Sequence, residues 1–163
     1  MKEEEIAEAR VIPFLRKLGW PSELITKYGR VPVQMGTEVK YADIVALFVD
    51  DNDITFPYLV VEVKTALDNL EEIKAQVNSY SKQLDAQIFV VTDGEKYKVY
   101  QRSPWGGCIE INSIPVPQES HLTVTGKTNF KMAYVMCAEP PIDLQNKQFN
   151  MESWKEKSTI SLA

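Results

Sequence analysis

The chain has few of the residues on which several common classes of site depend. Its 163 residues include two cysteines and one histidine. Cys108 and Cys137 do not form a CxxC pair and have only His121 as an imidazole partner. The sequence therefore disfavours both a thiolate metal site and a disulfide framework. We interpret the cysteines as structural and His121 as a surface residue.

Long apolar runs and an excess of positive charge are also missing. No apolar run approaches the ~20 residues of a membrane-spanning helix, and the acidic start MKEEEIAEAR is unlike a secretory signal. We therefore expect a cytoplasmic protein without a membrane partner. The 18 basic and 23 acidic residues give a formal charge of -5, which disfavours a surface that is basic all over but permits a local basic groove.

The apolar periodicity predicts one helix followed by three strands. Apolar positions at helical spacing predict a helix over 3–18, with a kink or a fresh start near Pro13. Branched and aromatic residues predict strands at 31–34, 41–49 and 58–64. We expect these three strands to form an antiparallel meander.

A second helix and two further strands follow. The helix is predicted over 68–84, with Asp68 or Asn69 as its N-cap, and the strands at 87–92 and 96–101. The strand at 87–92 has the apolar run IFVV between Gln87 and Thr92, as expected for burial on both faces. The order α-β-β-β-α-β-β predicts an α/β fold with a mixed sheet of about five strands flanked by helices. Later candidates are strands in CIEINSI and KMAYVMCA and a helix in MESWKEK.

Charged residues interrupt two of the apolar strands. Alternation in LVVEVKTALDN puts Glu62 and Lys64 on one face of a strand. Asp43 stands in the apolar segment YADIVALFV, and antiparallel pairing would place it across from both. Burying such groups costs desolvation energy, which is tolerated where they hold a metal or a reacting anion.

Two neighbouring carboxylates repel unless a cation neutralises them. Mg²⁺ prefers a few carboxylate oxygens together with water and a substrate phosphate. Such a site suits phosphodiester hydrolysis, because the metal lowers the pKa of a bound water and stabilises the transition state. Lys64 would orient the attacking water or help to deprotonate it.

Asp43, a hairpin and then Glu62-Val63-Lys64 form a D…ExK pattern, and the chain resembles the PD-(D/E)XK nuclease superfamily. The proline that precedes the first acid in that superfamily is Ala42 here. The following helix contains QVNSY at 76–80. This segment matches the QxxxY element of the branch that includes recombinational-repair nucleases and the nuclease domain of type I restriction motor subunits.

Gln76 and Tyr80 are four residues apart and share one helical face. Their amide and phenol can steady the nucleophilic water, the metal ligands or a phosphate. The Tyr80 ring lies on the apolar stripe, so we expect it in the core with only its hydroxyl available for function.

The opening EEEIAEARVIPFLRKLGW is similar to the first helix of the type I restriction nuclease domain, in which an acid near the helix start reaches the metal site. On a helical wheel Glu4 is in line with Val11 and Leu15, so we expect Glu4 to serve, with Glu3 or Glu8 as alternatives. The alternative without a functional role is that these acids only complement the helix dipole.

The resemblance covers about residues 3–102 and implies a restriction-endonuclease-like core, with 103–163 as an extension packing on it in a single domain. It implies a DNA endonuclease that uses Mg²⁺, or Mn²⁺ in its place. The implied metal ligands are Asp43, Glu62 and Glu4. The expected partners are DNA and either a second copy of the chain or a larger restriction or repair complex.

Other interpretations stay open. The fold can serve as an inactive DNA-binding or assembly module, or the site can act on RNA or a small molecule. Glu62 and Lys64 can be an ordinary ion pair on a solvated strand face. Lys74, Lys82 and Arg102 can contact phosphates, although cations on solvated faces are the commoner explanation.

Overall fold

The computed structural model describes residues 1–103 and 107–123, and it shows an α/β fold. The helical elements are α1 (Glu3–Ile6), a π-helical turn (Ala7–Val11), α2 (Ile12–Leu18), α3 (Leu70–Gln83) and 3₁₀ turns at Ser22–Leu24 and Glu119–Leu122. The strands are β1 (Val31–Met35), β2 (Glu38–Ala42), β3 (Ile44–Val49), β4 (Thr55–Val63), β5 (Ile88–Thr92), β6 (Tyr97–Arg102) and β7 (Cys108–Ile111).

The main sheet contains five strands in the order β3-β4-β5-β6-β7. Only β4 and β5 pair in parallel, because α3 carries the chain from one to the other, and the remaining neighbours are antiparallel. The predicted mixed five-stranded sheet is confirmed, and its fifth strand is the one predicted in CIEINSI. The candidates in KMAYVMCA and MESWKEK, together with Cys137, lie outside the described residues.

The predicted strand at 41–49 is wrong, because the chain divides at Asp43. β2 pairs with β1 in a separate two-stranded sheet, and β3 alone pairs with β4. The division follows from hydrogen bonds at Asp43: its carbonyl accepts from the Gly29 N–H at 2.8 Å, and its side chain accepts from the Val63 N–H at 2.7 Å. The expected three-stranded meander is therefore absent. Instead, β1 and β2 form a hairpin, and β3 and β4 form a separate antiparallel pair.

The predicted helix over 3–18 is present but irregular. The irregular part is the π-helical turn at Ala7–Val11, which ends two residues before Pro13. Pro13 itself sits in the first turn of α2, where its missing N–H is tolerated. At α3 the N-cap is Asn69, but its side chain makes no capping bond and its backbone is left-handed with φ 55°. None of the helices in the described ranges could cross a membrane.

The hydrophobic core lies on both sides of the main sheet. All residues of β3 and β5 are buried, as predicted for the second of these strands. α1 contacts β4, and α3 contacts β4 and β5, so these two elements cover the strands that lead to the charged residues. The buried Leu122 ties the last described 3₁₀ turn to the core. The sheet is thus a rigid support for side chains at the ends of β3 and β4.

Candidate active site

The end of β4 lies beside the start of β3. Ile44 pairs with Val61, so the antiparallel register places Asp43 next to Glu62. The Val63 N–H donates to Oδ2 of Asp43 at 2.7 Å and fixes this carboxyl group over the end of β4. Both acids are buried, with 9% of Asp43 and 4% of Glu62 exposed.

Lys64 follows immediately after β4. Its N–H donates to the carbonyl of Thr92 at 2.9 Å, which extends the β4–β5 pairing by one residue. Its Nζ lies 3.6 Å from Oε1 of Glu62. The Lys64 side chain is about a quarter exposed, so its ammonium group stands at the mouth of the site. The structure therefore brings Asp43, Glu62 and Lys64 together.

The two carboxyl groups strongly perturb each other. Burial, reinforced by the charge of Asp43, raises the pKa of Glu62 to about 8, while Lys64 opposes this shift. Burial also raises the pKa of Asp43 to about 6, against the Val63 N–H, which lowers it. The Asp43 side chain further raises the pKa of Glu62, whereas the Glu62 side chain lowers that of Asp43, so the shared proton stays on Glu62. At neutral pH the pair thus retains a proton when no cation is bound.

One oxygen of the pair lacks a partner. Oε2 of Glu62 is buried and accepts no hydrogen bond from the described residues. An unsatisfied buried acceptor of this kind costs about 1–3 kcal/mol or more, which a bound cation would offset. Two adjacent carboxylates with a free oxygen fit Mg²⁺, which completes its coordination with water and phosphate. The described part of the chain holds no group of three or more His, Cys, Asp or Glu side chains in metal-binding geometry.

The π-helical turn changes which N-terminal acid faces inward. In a regular α-helix Glu4 aligns with the buried Val11, seven positions later. The π turn accommodates one extra residue, so the alignment moves to Glu3. Glu3 is accordingly partly buried, whereas Glu4 and Glu8 are exposed.

Electrostatics distinguish the same two residues. The charge of Glu3 contributes to the raised pKa of both Asp43 and Glu62. The charge of Glu4 contributes instead to the raised pKa of the Tyr28 phenol, together with those of the other acids. Of the glutamates left open by the sequence, Glu3 is thus the one coupled to the carboxyl pair. A role for Glu4 as metal ligand stays a prediction.

Gln76 and Tyr80 interact on α3. Nε2 of Gln76 donates to the Tyr80 hydroxyl at 2.9 Å. The Tyr80 ring is buried, as expected from the apolar stripe. Gln76 and Lys64 line the same cavity of about 250 Å³, together with the first turn of α3. The QxxxY element therefore shares a cavity with Lys64 through Gln76.

The cations considered for phosphate contact have other roles where the structure shows their partners. Arg102 pairs with Asp85 at 3.3 Å and donates to a backbone carbonyl at 2.8 Å. Lys74 lies 5.2 Å from the centre of the Tyr100 ring. These contacts favour structural roles for Arg102 and Lys74.

Tyr28 is a site neighbour that the sequence interpretation missed. Burial raises the pKa of its phenol, and the charges of Asp43, Glu3 and Glu62 raise it further. Tyr28 lies in a loop without hydrophobic periodicity, so no local pattern links it to the acids. The sequence showed only that Tyr28 lies three residues before a predicted strand.

The family described as type I restriction enzyme R protein N terminus matches residues 2–115. The chain belongs to this family. No curated protein and no solved structure matches the chain. Membership confirms the resemblance to the nuclease domain of type I restriction enzymes and identifies a restriction-type nuclease domain. For this R protein domain, the family implies DNA and a larger restriction complex as partners.

Proposed function

We propose that this R protein N-terminal domain is a Mg²⁺-dependent DNA endonuclease centred on Asp43, Glu62 and Lys64. The main support is a buried pair of adjacent carboxyls with one unpartnered oxygen, next to an ammonium group. A structural ion pair does not need a second buried acid, whereas a hard cation does. Family membership supports the choice of DNA as substrate.

Each residue has a distinct task in this proposal. Asp43 and Glu62 would bind Mg²⁺, or Mn²⁺ in its place, and the Val63 N–H holds Asp43 in position. A bound metal would lower the pKa of a coordinated water and stabilise the charge on the reacting phosphate. Lys64 orients the attacking water. Its ammonium group only donates hydrogen bonds, so it can donate one to this water.

The supporting residues act around this centre. Gln76 uses its amide N–H on Tyr80, which leaves its carbonyl oxygen to accept from water near Lys64. Tyr80 steadies Gln76 from the core. We assign the assisting N-terminal acid to Glu3 in preference to Glu4, because Glu3 is the partly buried one whose charge reaches the pair.

Cleavage of plasmid and linear DNA with Mg²⁺ or Mn²⁺ tests the proposal. Asp43→Ala and Lys64→Ala should each lose activity by about 10²-fold or more. Lys98→Ala is the matched control, because Lys98 also lies on a strand and pairs with a glutamate, Glu110, at 3.4 Å, but on an exposed surface. Equal activity in the wild type and all three variants would mean contamination or a different site.

One observation favours a second candidate, a non-catalytic DNA-binding or assembly module. Only two acids, rather than three, converge in metal-binding geometry within the described residues. In that case the wild type would bind DNA and never cut it with either metal. Asp43→Ala would then bind DNA as the wild type does.

A further inference from the structure

The segment 25–29 runs along the edge of β3 that β4 does not occupy. The Thr26 N–H donates to the Val45 carbonyl at 3.0 Å, and the Val45 N–H donates to Oγ1 of Thr26 at 2.7 Å. Further along, the Gly29 N–H donates to the carbonyl of Asp43 at 2.8 Å. The segment is therefore tied to β3 on both sides of Tyr28, and its last bond is to a residue of the carboxyl pair.

This attachment holds the backbone next to Tyr28 against the Asp43 carbonyl. Tyr28 is partly buried and packs against the core, while Gly29 turns the chain with φ +69°. The pKa of Tyr28 is raised by burial first and then by the charges of Asp43, Glu3 and Glu62. A tyrosine hydroxyl is protonated at neutral pH and can donate a hydrogen bond.

A phosphate is the acceptor that best fits this donor. A neutral O–H can approach a DNA phosphate without adding charge to a site that already holds two carboxyl groups. The exposed cation Lys27 precedes Tyr28 in the chain, so the turn carries positive charge in a protein whose formal charge is -5. Hydrogen bonds from neutral side chains and attraction by nearby cations commonly hold a nucleic-acid backbone in place.

We propose that Tyr28 is a substrate-binding residue of this centre, whose hydroxyl donates a hydrogen bond to a phosphate oxygen of the DNA strand lying over Asp43. This inference rests on the proposed function and adds a contact that the acid, lysine and QxxxY residues do not provide. The Gly29–Asp43 bond fixes the backbone that follows Tyr28 against the backbone of Asp43. Tyr28 and the carboxyl pair would therefore act on the same stretch of DNA.

The test compares Tyr28→Phe with the wild type and with Tyr41→Phe. The first change removes one hydroxyl and retains the ring that packs on the core. Tyr41 is the matched control, because it lies two residues before Asp43 and is 41% exposed. We expect Tyr28→Phe to bind duplex DNA about 10-fold more weakly in fluorescence anisotropy with Ca²⁺ present, and to lower kcat/KM with Mg²⁺ by about 10- to 100-fold. Tyr41→Phe should match the wild type in both.

Metal binding separates this inference from the proposed function. Mn²⁺ should bind Tyr28→Phe as tightly as it binds the wild type, because the phenol contacts phosphate and not the ion. Unchanged DNA affinity in Tyr28→Phe would overturn the inference, as would a loss of Mn²⁺ affinity. A wild type that never cuts, and that binds Mn²⁺ no better than Asp43→Ala, would instead overturn the proposed function, while the anisotropy comparison still decides the role of Tyr28.

Discussion

Removal of the Glu62 carboxylate should stabilise the metal-free protein at alkaline pH. Glu62 is 4% exposed, and burial with the neighbouring charge of Asp43 raises its pKa from 4.5 to about 8. Between pH 4.5 and about pH 8 the folded chain therefore binds more protons than the unfolded chain. The free energy of unfolding must fall as the pH rises through this interval. Glu62→Gln keeps the size of the side chain and removes this titration.

The size of the effect follows from the shift. For a carboxyl group with these two pKa values, the loss of stability between pH 5 and pH 8 is on the order of 3 kcal/mol. Glu62→Gln should thus be more stable than the wild type by about this amount at pH 8 and nearly equal to it at pH 5. A weaker dependence should persist in the variant, because burial also raises the pKa of Asp43.

Urea denaturation with EDTA at pH 5 and pH 8 measures these differences. Glu110→Gln is the control, because Glu110 is an exposed strand glutamate that pairs with Lys98 at 3.4 Å, and such pairs contribute at most about 1 kcal/mol. Adding Mn²⁺ at pH 8 should stabilise the wild type and not Glu62→Gln, since ligand binding to the folded state raises its stability. The same pH dependence in wild type and Glu62→Gln would refute the reasoning.

Three further substitutions test the scaffold by thermal or urea denaturation. Gly94→Ala should cost about 2 kcal/mol, because Gly94 has φ +91° and an added Cβ would lie 2.7 Å from the Ile6 side chain; an unchanged melting temperature would contradict this close approach. Trp20→Phe should cost about 2 kcal/mol by removing the buried bond from Nε1 to the Leu47 carbonyl at 2.9 Å, and a neutral effect would argue against that bond. Asp50→Ala should cost about 1–2 kcal/mol, because one carboxylate oxygen accepts two backbone N–H groups at 2.9 and 2.8 Å; stability equal to the wild type would show that water replaces them.

Local patterns were enough to predict the main elements. The helical stripe predicted 68–84, and α3 spans Leu70–Gln83. The apolar run IFVV within 87–92 predicted a strand, and β5 is buried throughout. Period-two alternation predicted that Glu62 and Lys64 share one face of a strand. Nζ of Lys64 lies 3.6 Å from Oε1 of Glu62. These features depend on short-range geometry, which the order of residues carries directly.

Features that depend on distant partners were not predictable. The division of the chain at Asp43 needs the N–H groups of Gly29 and Val63, which are far away in sequence. The phase of the first helix depends on the π turn, and a wheel drawn at the α-helical period therefore selected Glu4 over Glu3. The position of Tyr28 depends on hydrogen bonds between its loop and β3. No sequence pattern in the loop predicts these bonds.

The position of Asp43 limits how the length of the chain can vary. Asp43 is the single residue between β2, which belongs to the small sheet, and β3, which belongs to the large one. An insertion there would shift the acid against one sheet or the other and pull it away from Glu62. The turn between β3 and β4 lies at the opposite end of those strands, so extra residues in it would leave the acids in place. Relatives that keep the same chemistry should therefore differ in length at that turn and not at the acid.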